Sequence, residues 1–268
     1  MKLTIHGCRG SIAVSSKDTV KYGGYTSCYE VRAGNTQIVL DAGTGFRNVS
    51  LQEDTRKTIL FSHLHHDHIQ GLGFNKDIFN PNCHIEVSSA LCEATKLRDN
   101  IQTYYSGSYF PLDLTDRLQN LKFQNFSSLI ENNKDDILVE SLEMNHPGRS
   151  FGYSIIHEKK KLVYLSDNEF EDWQLAELCN FCENSNIILW DGMFNDKDLV
   201  ERKGWGHSSV KQGVDFFSKV NCKKMLITHH APERTDYELD KINSDLPNDI
   251  ELAFDGCLLY TSPSPRDS

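Results

Sequence analysis

Short apolar or alternating runs, each bounded by turn residues, recur along the whole chain. They fall at residues 3–6, 28–32, 37–40, 58–61, 85–88, 137–144, 152–156, 162–165, 187–190, 225–228 and 250–254, and they predict strands. Apolar spacing near 3.6 predicts helices over 89–99, 171–183, 208–218 and 236–244. Many strands with helices interspersed predict an α/β chain in which two sheets are covered by helices on their outer faces. Residues 100–120 are less regular and rich in tyrosine (Tyr104, Tyr105, Tyr109), as expected of an insertion over a site. No internal repeat is evident. The stretch 257–268 ends in TSPSPRDS, polar and rich in Pro and Ser, so the domain is expected to span 1–256 and the rest to be a disordered or non-native tail.

Length and charge narrow the class. At 268 residues the chain fits one α/β domain. A formal charge of -10 argues against a surface that tracks phosphates, because nucleic-acid affinity rests largely on Lys and Arg neutralising the backbone. No long nucleic acid is expected as a partner. The start, MKLTIHG, lacks a basic segment followed by an apolar one, and no window holds 18 apolar residues, so a cytoplasmic protein without membrane contact is expected. Eight scattered cysteines are expected to be free in a reducing compartment. Cys179 and Cys182 form a C-x-x-C inside a helical pattern with no second pair, which gives no zinc or redox signature.

The densest chemistry follows the run at 58–61, where His63-x-His65-x-Asp67-His68 places nitrogen and carboxylate ligands within six positions. Alternate residues of an extended segment point the same way, so His63 and His65 can share one ion while the next turn aims Asp67 and His68 at a second. A structural zinc site seldom uses Asp, and this segment offers too many ligands for one ion. A catalytic centre with two divalent ions is therefore expected, zinc preferred and manganese or iron the alternatives.

With GCRGSI (7–12), KYGGYTSCYEVR (21–32), LDAGTG (40–45), MNHPG (144–148), LSDNE (165–169), WGHSS (205–209) and ITHHAP (227–232) around that signature, the chain resembles the metallo-β-lactamase fold, an αββα sandwich, and within it the phosphodiesterase branch. The resemblance spans residue 1 to about 256 and is nearest to cyclic phosphodiesterases: phosphoribosyl cyclic phosphate hydrolases and anti-Pycsar phage nucleases, with the RNase Z branch more distant. Tyr25 stands where that branch often has Asn, and Arg149 where a second Gly is common. The resemblance implies that His63, His65 and His146 hold one ion, Asp67, His68 and His229 the other, and Asp167 bridges. Asp41 is expected to fix the tautomer of a ligand histidine, and His207 to face the substrate phosphate as a proton or hydrogen-bond donor.

His65 replaces the Glu of diiron oxygen-reducing relatives, the bridging Asp argues against a true β-lactamase, and neither the substrate domain of glyoxalase-type thioesterases nor the basic arm of transfer-RNA processing enzymes is visible. A module that binds nucleotide through its metals without cutting it is the non-enzyme alternative. The expected function is hydrolysis of a small cyclic phosphodiester, a 3′,5′-cyclic mononucleotide of the cyclic CMP or cyclic UMP type. A phosphoribosyl cyclic phosphate or an RNA is the alternative substrate. Arg149, Tyr105 and Tyr109 are the expected substrate contacts, and a homodimer is expected, with the Tyr-rich segment reaching over a site, its own or the neighbour's.

Overall fold

The computed structural model describes residues 1–51, 54–131 and 137–261. The first half of the chain builds one sheet from β1 (Lys2–Gly7), β2 (Cys28–Ala33), β3 (Thr36–Leu40), β4 (Arg56–Phe61), β5 (Ile85–Ser89) and β6 (Leu121–Phe123). The second half builds another from β7 (Leu138–Met144), β8 (Ser150–His157), β9 (Lys160–Leu165), β10 (Ile187–Asp191), β11 (Met225–Thr228) and β12 (Ile250–Leu252). A last strand, β13 (Leu258–Tyr260), returns to the first sheet beside β1. The orders are β13-β1-β2-β3-β4-β5-β6 and β12-β11-β10-β9-β8-β7. Each sheet passes from antiparallel pairs to a parallel half, β3 to β6 in one and β9 to β12 in the other. Parallel strands are covered on both faces, and β10 and β11 are accordingly buried at every position.

The helices are α1 (His66–Ile69), α2 (Ala94–Tyr104), α3 (Leu114–Arg117), α4 (Phe126–Glu131), α5 (Leu175–Cys182), α6 (Asp196–Glu201), α7 (Val210–Phe217) and α8 (Asp236–Ser244). Leu3, Ile5, Val31 and Leu60 from one sheet meet Ile155, Leu162, Leu189 and Leu226 from the other in a core between the sheets. Outside the first sheet, Leu97 and Ile101 of α2 pack with Ile59 and Val87. Outside the second, Leu178, Phe216 and Leu239 of α5, α7 and α8 pack with Ile188, Trp190 and Ile227. This is the expected α/β/β/α layering. Among the described residues no helix is long and apolar enough to cross a membrane.

Two expectations on elements are revised. The helix expected from residue 89 starts at Ala94, because Ser89 still belongs to β5, where its hydroxyl donates to the Phe61 carbonyl at 2.8 Å. The short elements β6, α4 and α6 carry too few residues for a period to register. The stretch assigned to the tail contributes β13: Leu259 and Cys257 pack against the inter-sheet core, and the pairing with β1 is a backbone interaction that side-chain polarity does not reveal. Residues 262–268 of that tail lie outside the described residues.

Asp41, the His63-to-His68 run, His146, Asp167 and His229 begin within two residues of the ends of β3, β4, β7, β9 and β11, and Asp191 is the last residue of β10. Loops at the carboxyl ends of strands in both sheets therefore supply one site, the usual place for chemistry in an α/β architecture.

Candidate metal centre

The chain leaves β4 through Ser62 into an extended segment and then turns into α1, which carries Asp67 and His68 inward and His66 outward. Loops from the second sheet close over this segment. One group comprises His63, His65 and His146, and another Asp67, His68, Asp167 and His229, with ligand atoms within 4.8 Å of one another in each. Asp167 touches both. Its Oδ2 lies 3.7 Å from His63 Nε2, 3.3 Å from His68 Nε2 and 4.0 Å from His146 Nε2, and its Oδ1 lies 3.3 Å from His229 Nδ1. All seven residues expected as ligands are thus gathered, with the Asp167 carboxylate between the two groups.

The nitrogens themselves test whether metal fits. Nε2 of His63, of His68 and of His229 is buried and, among the described residues, has no hydrogen-bond partner. Leaving such an atom unmatched costs about 1–3 kcal/mol. Divalent ions would satisfy them, and the mixed imidazole and carboxylate set suits zinc and neighbouring ions. The opposite nitrogens of His68 and His63 are already engaged, with Asp41 Oδ2 at 2.8 Å and Ser62 Oγ at 3.0 Å, and His146 Nδ1 is held in the same way by the Gly206 carbonyl at 2.8 Å. Those contacts select the tautomer that leaves Nε2 free to ligate.

Asp41 organises this support. Its carboxylate accepts from the Ser62 amide, the Ser62 hydroxyl and the Tyr164 hydroxyl, each at 2.7 Å, besides His68. It thereby orients His68 directly and His63 through Ser62. Asp41 (φ 58°) and His229 (φ 57°) both adopt the left-handed region, a strain of order 1–3 kcal/mol that persists only where surrounding contacts over-determine the conformation. The Ser11 amide, also at positive φ, donates to Asp67 Oδ2 at 2.7 Å. Burial opposes charge on Asp167, yet the positive fields of His229, His68 and His63 hold its carboxyl well below the usual range.

His207 completes the cluster. Its Nδ1 lies 2.9 Å from Asp191 Oδ2, and its ring stacks on His229 at 5.0 Å and meets His146 edge-on at 5.4 Å. Burial pushes the imidazole down, but the Asp191 charge and hydrogen bond lift it to about 9. Sequence reasoning missed Asp191. The available signal was an acid closing a buried apolar run, the pattern that Asp41 also shows.

The expected substrate contacts fare differently. Tyr105 is corrected: it is 1% exposed, and its hydroxyl donates to the Ile69 carbonyl at 2.7 Å, so it packs behind α1 and contacts no substrate. Arg149, exposed in the loop after His146, has its guanidinium forked onto Glu143 at 2.7 and 2.8 Å. Tyr109 is 81% exposed and lines a cavity of about 440 Å³ with Leu64, Ile69 and Tyr104. A cleft of about 850 Å³ runs past Tyr25, Thr44, Arg47, Gln70 and Phe74, at the far end of the turn that carries His68. His66 points to the Tyr104 hydroxyl, and His230 turns away from the centre to the Ala253 carbonyl. Among the described residues no cysteine joins a metal-type cluster.

The profile of the Beta-lactamase superfamily domain matches residues 36–230. The chain is similar to a Ribonuclease Z of Archaeoglobus fulgidus, 22% identical over 85% of this chain and 86% of that protein. Its fold is that of a solved diphosphatase from the PhnP family, with a TM-score of 0.70 at 18% identity over 96% of both chains. It is shared by the metallo-beta-lactamase fold protein YhfI from Bacillus subtilis, with a TM-score of 0.68 at 18% identity over 96% of this chain and 98% of that one.

Proposed function

The chain belongs to the beta-lactamase superfamily, and from that premise we propose that it is a dinuclear-metal phosphodiesterase whose substrate is a small cyclic phosphodiester, a 3′,5′-cyclic mononucleotide by preference. The observation that carries this reading is the junction at Asp167, whose carboxylate reaches both ligand groups while His207 stands beside them. In this reading His63, His65 and His146 hold one ion, Asp67, His68 and His229 the second, and Asp167 both. When bound, such ions supply Lewis acidity toward a phosphoryl oxygen and a hydroxide nucleophile at neutral pH. One P–O bond of the ring breaks as water adds to phosphorus, and the departing oxygen leaves with a proton. His207 is the donor of that proton or of a hydrogen bond to the phosphoryl oxygen, held in line by Asp191.

The acidic balance of the chain supports a compact substrate with a single charge over a long polyanion. Aromatic faces at Tyr109, Tyr25 and Phe74 line openings near the centre and suit stacking on one base. Similarity to Ribonuclease Z over most of the chain favours a second reading, cleavage of a structured RNA. We propose in addition a homodimer, with the exposed ring of Tyr109 at or near the contact; light scattering at micromolar concentration tests it, and a monomer refutes it. Rates per active site on each 3′,5′-cyclic nucleotide, a phosphoribosyl cyclic phosphate and a precursor transfer RNA decide the substrate. Trimming of the RNA with no hydrolysis of any cyclic phosphodiester overturns the preferred reading.

A further inference from the structure

We propose that Glu169 is a positioning residue that sets His146 and His207 relative to each other, and so tunes one of the two ion sites but not the other. The inference rests on the dinuclear reading above. Glu169 follows Asp167 by two positions, and its carboxylate points into the turn before His207. Oε2 accepts the Gly204 amide at 2.8 Å and the Gly206 amide at 2.9 Å, and Oε1 the Gly204 amide at 3.0 Å. Backbone donors on an ionised acceptor make strong, directional bonds. The backbone of Glu169 is in turn tied to the residue before His146: its amide donates to the Asn145 carbonyl at 2.8 Å, and the Asn145 side-chain amide donates back at 2.8 Å.

Gly206 then closes the circuit. Its carbonyl accepts a hydrogen bond from His146 Nδ1 at 2.8 Å, the contact that leaves Nε2 to ligate, and the next residue is His207. The turn depends on its glycines, since Gly204 and Gly206 sit at φ 86° and 90° and a Cβ on Gly206 would fall 2.2 Å from His146 Nδ1. A segment built this way has little side-chain packing of its own, and Trp205 is 62% exposed. The Glu169 carboxylate is therefore what fixes where the Gly206 carbonyl stands. The ions' other supports, Asp41 and Ser62 on the first sheet, do not involve Glu169.

Stepwise zinc titration of chelator-stripped protein by calorimetry tests this. In Glu169→Ala one of the two affinities is expected to fall by about 10- to 100-fold, the usual effect of losing a partner behind a metal ligand, while the other stays. Oε2 alone receives both glycine amides, so Glu169→Gln can keep the clamp with its carbonyl oxygen and is expected to bind both ions as the wild type does. Glu169→Asp, with the carboxylate drawn back by one methylene, supplies the same reading if the alanine variant does not fold. The ¹⁵N shift of the His146 imidazole in the stripped protein should move in Ala and Asp but not in Gln. Unchanged affinities in both Ala and Asp overturn the proposal, and so does equal weakening of both ions with Gln as damaging as Ala. A wild-type protein that takes fewer than two ions overturns the dinuclear reading and this inference with it.

Discussion

Nδ1 of His207 lies 2.9 Å from Oδ2 of Asp191, and the same carboxylate is pinned by the amides of Asn168 and Met193, each at 3.2 Å. The histidine is therefore oriented by a group that is itself immobile. His207→Ala is expected to retain both ions and lower turnover by on the order of 100-fold or more. Asp191→Asn should fall between that variant and the wild type, again with full metal content. Metal analysis beside kcat on bis(p-nitrophenyl) phosphate checks both, and wild-type turnover in His207→Ala would remove it from the site.

Two divalent ions per chain are expected after reconstitution. Asp67→Ala and His65→Ala should each lose metal and activity together, because each withdraws a ligand atom from its group. Elemental analysis decides the point. A single ion in the wild type would contradict the dinuclear centre.

Gly10 tests how tightly His229 is seated. A Cβ there would lie 2.4 Å from His229 Cδ2 and 2.5 Å from Met193 Cε, so Gly10→Ala must displace the ring or the side chain beneath it. Loss of the ion held by Asp67, His68 and His229, with the fold intact by circular dichroism, is the expected result. Normal metal content would mean that the pocket relaxes around the methyl.

Asp255 gives a pH dependence of stability away from the centre. Burial lifts its carboxyl to about 6, against the opposing hydrogen bonds from the Tyr25 amide and the Cys8 thiol. The folded chain thus keeps a proton that the unfolded chain has already released. The contribution is fully present below about 4, the ordinary value of the acid, and is lost as pH rises through about 6. Asp255→Asn should gain on the wild type by about 1–3 kcal/mol across that window and hold the gain above it. Urea midpoints between pH 4 and 7 measure this, and a constant difference would show that the carboxyl titrates normally.

How much of this was legible beforehand depended on sequence distance. His63, His65, Asp67 and His68 lie within one turn of chain, so spacing alone announced them, and Asp41 was marked by its place after a buried run. His146, Asp167 and His229 had no local pattern to set them apart and were reached only through family resemblance. Asp191 and Glu169 act through other residues, on hydrogen bonds that exist only once β9 and β10 lie side by side. Tyr105 misled for a related reason: a tyrosine at the end of α2 reads equally as an exposed ring or a buried one, and only the Ile69 carbonyl beneath it decides. Most strands, by contrast, were clear, those buried on both faces as unbroken apolar runs, whereas the three-residue β6 and β13 were not.

The ligands are drawn from two sheets that are contiguous in the chain only at their junction, with His63 to His68 after β4 and His146, Asp167 and His229 after β7, β9 and β11. Ions seated among them would act as cross-links across long loops, open only to the assembled chain. Ligands that bind the native form alone stabilise it by mass action, about 2.7 kcal/mol at a hundredfold excess over the dissociation constant. Cellular abundance of the protein is therefore expected to follow divalent-ion supply. When ions are scarce, the seam where the sheets meet is expected to open to proteases first, and slowed amide exchange at the ends of β4 and β11 on metal addition is the measurement that checks it.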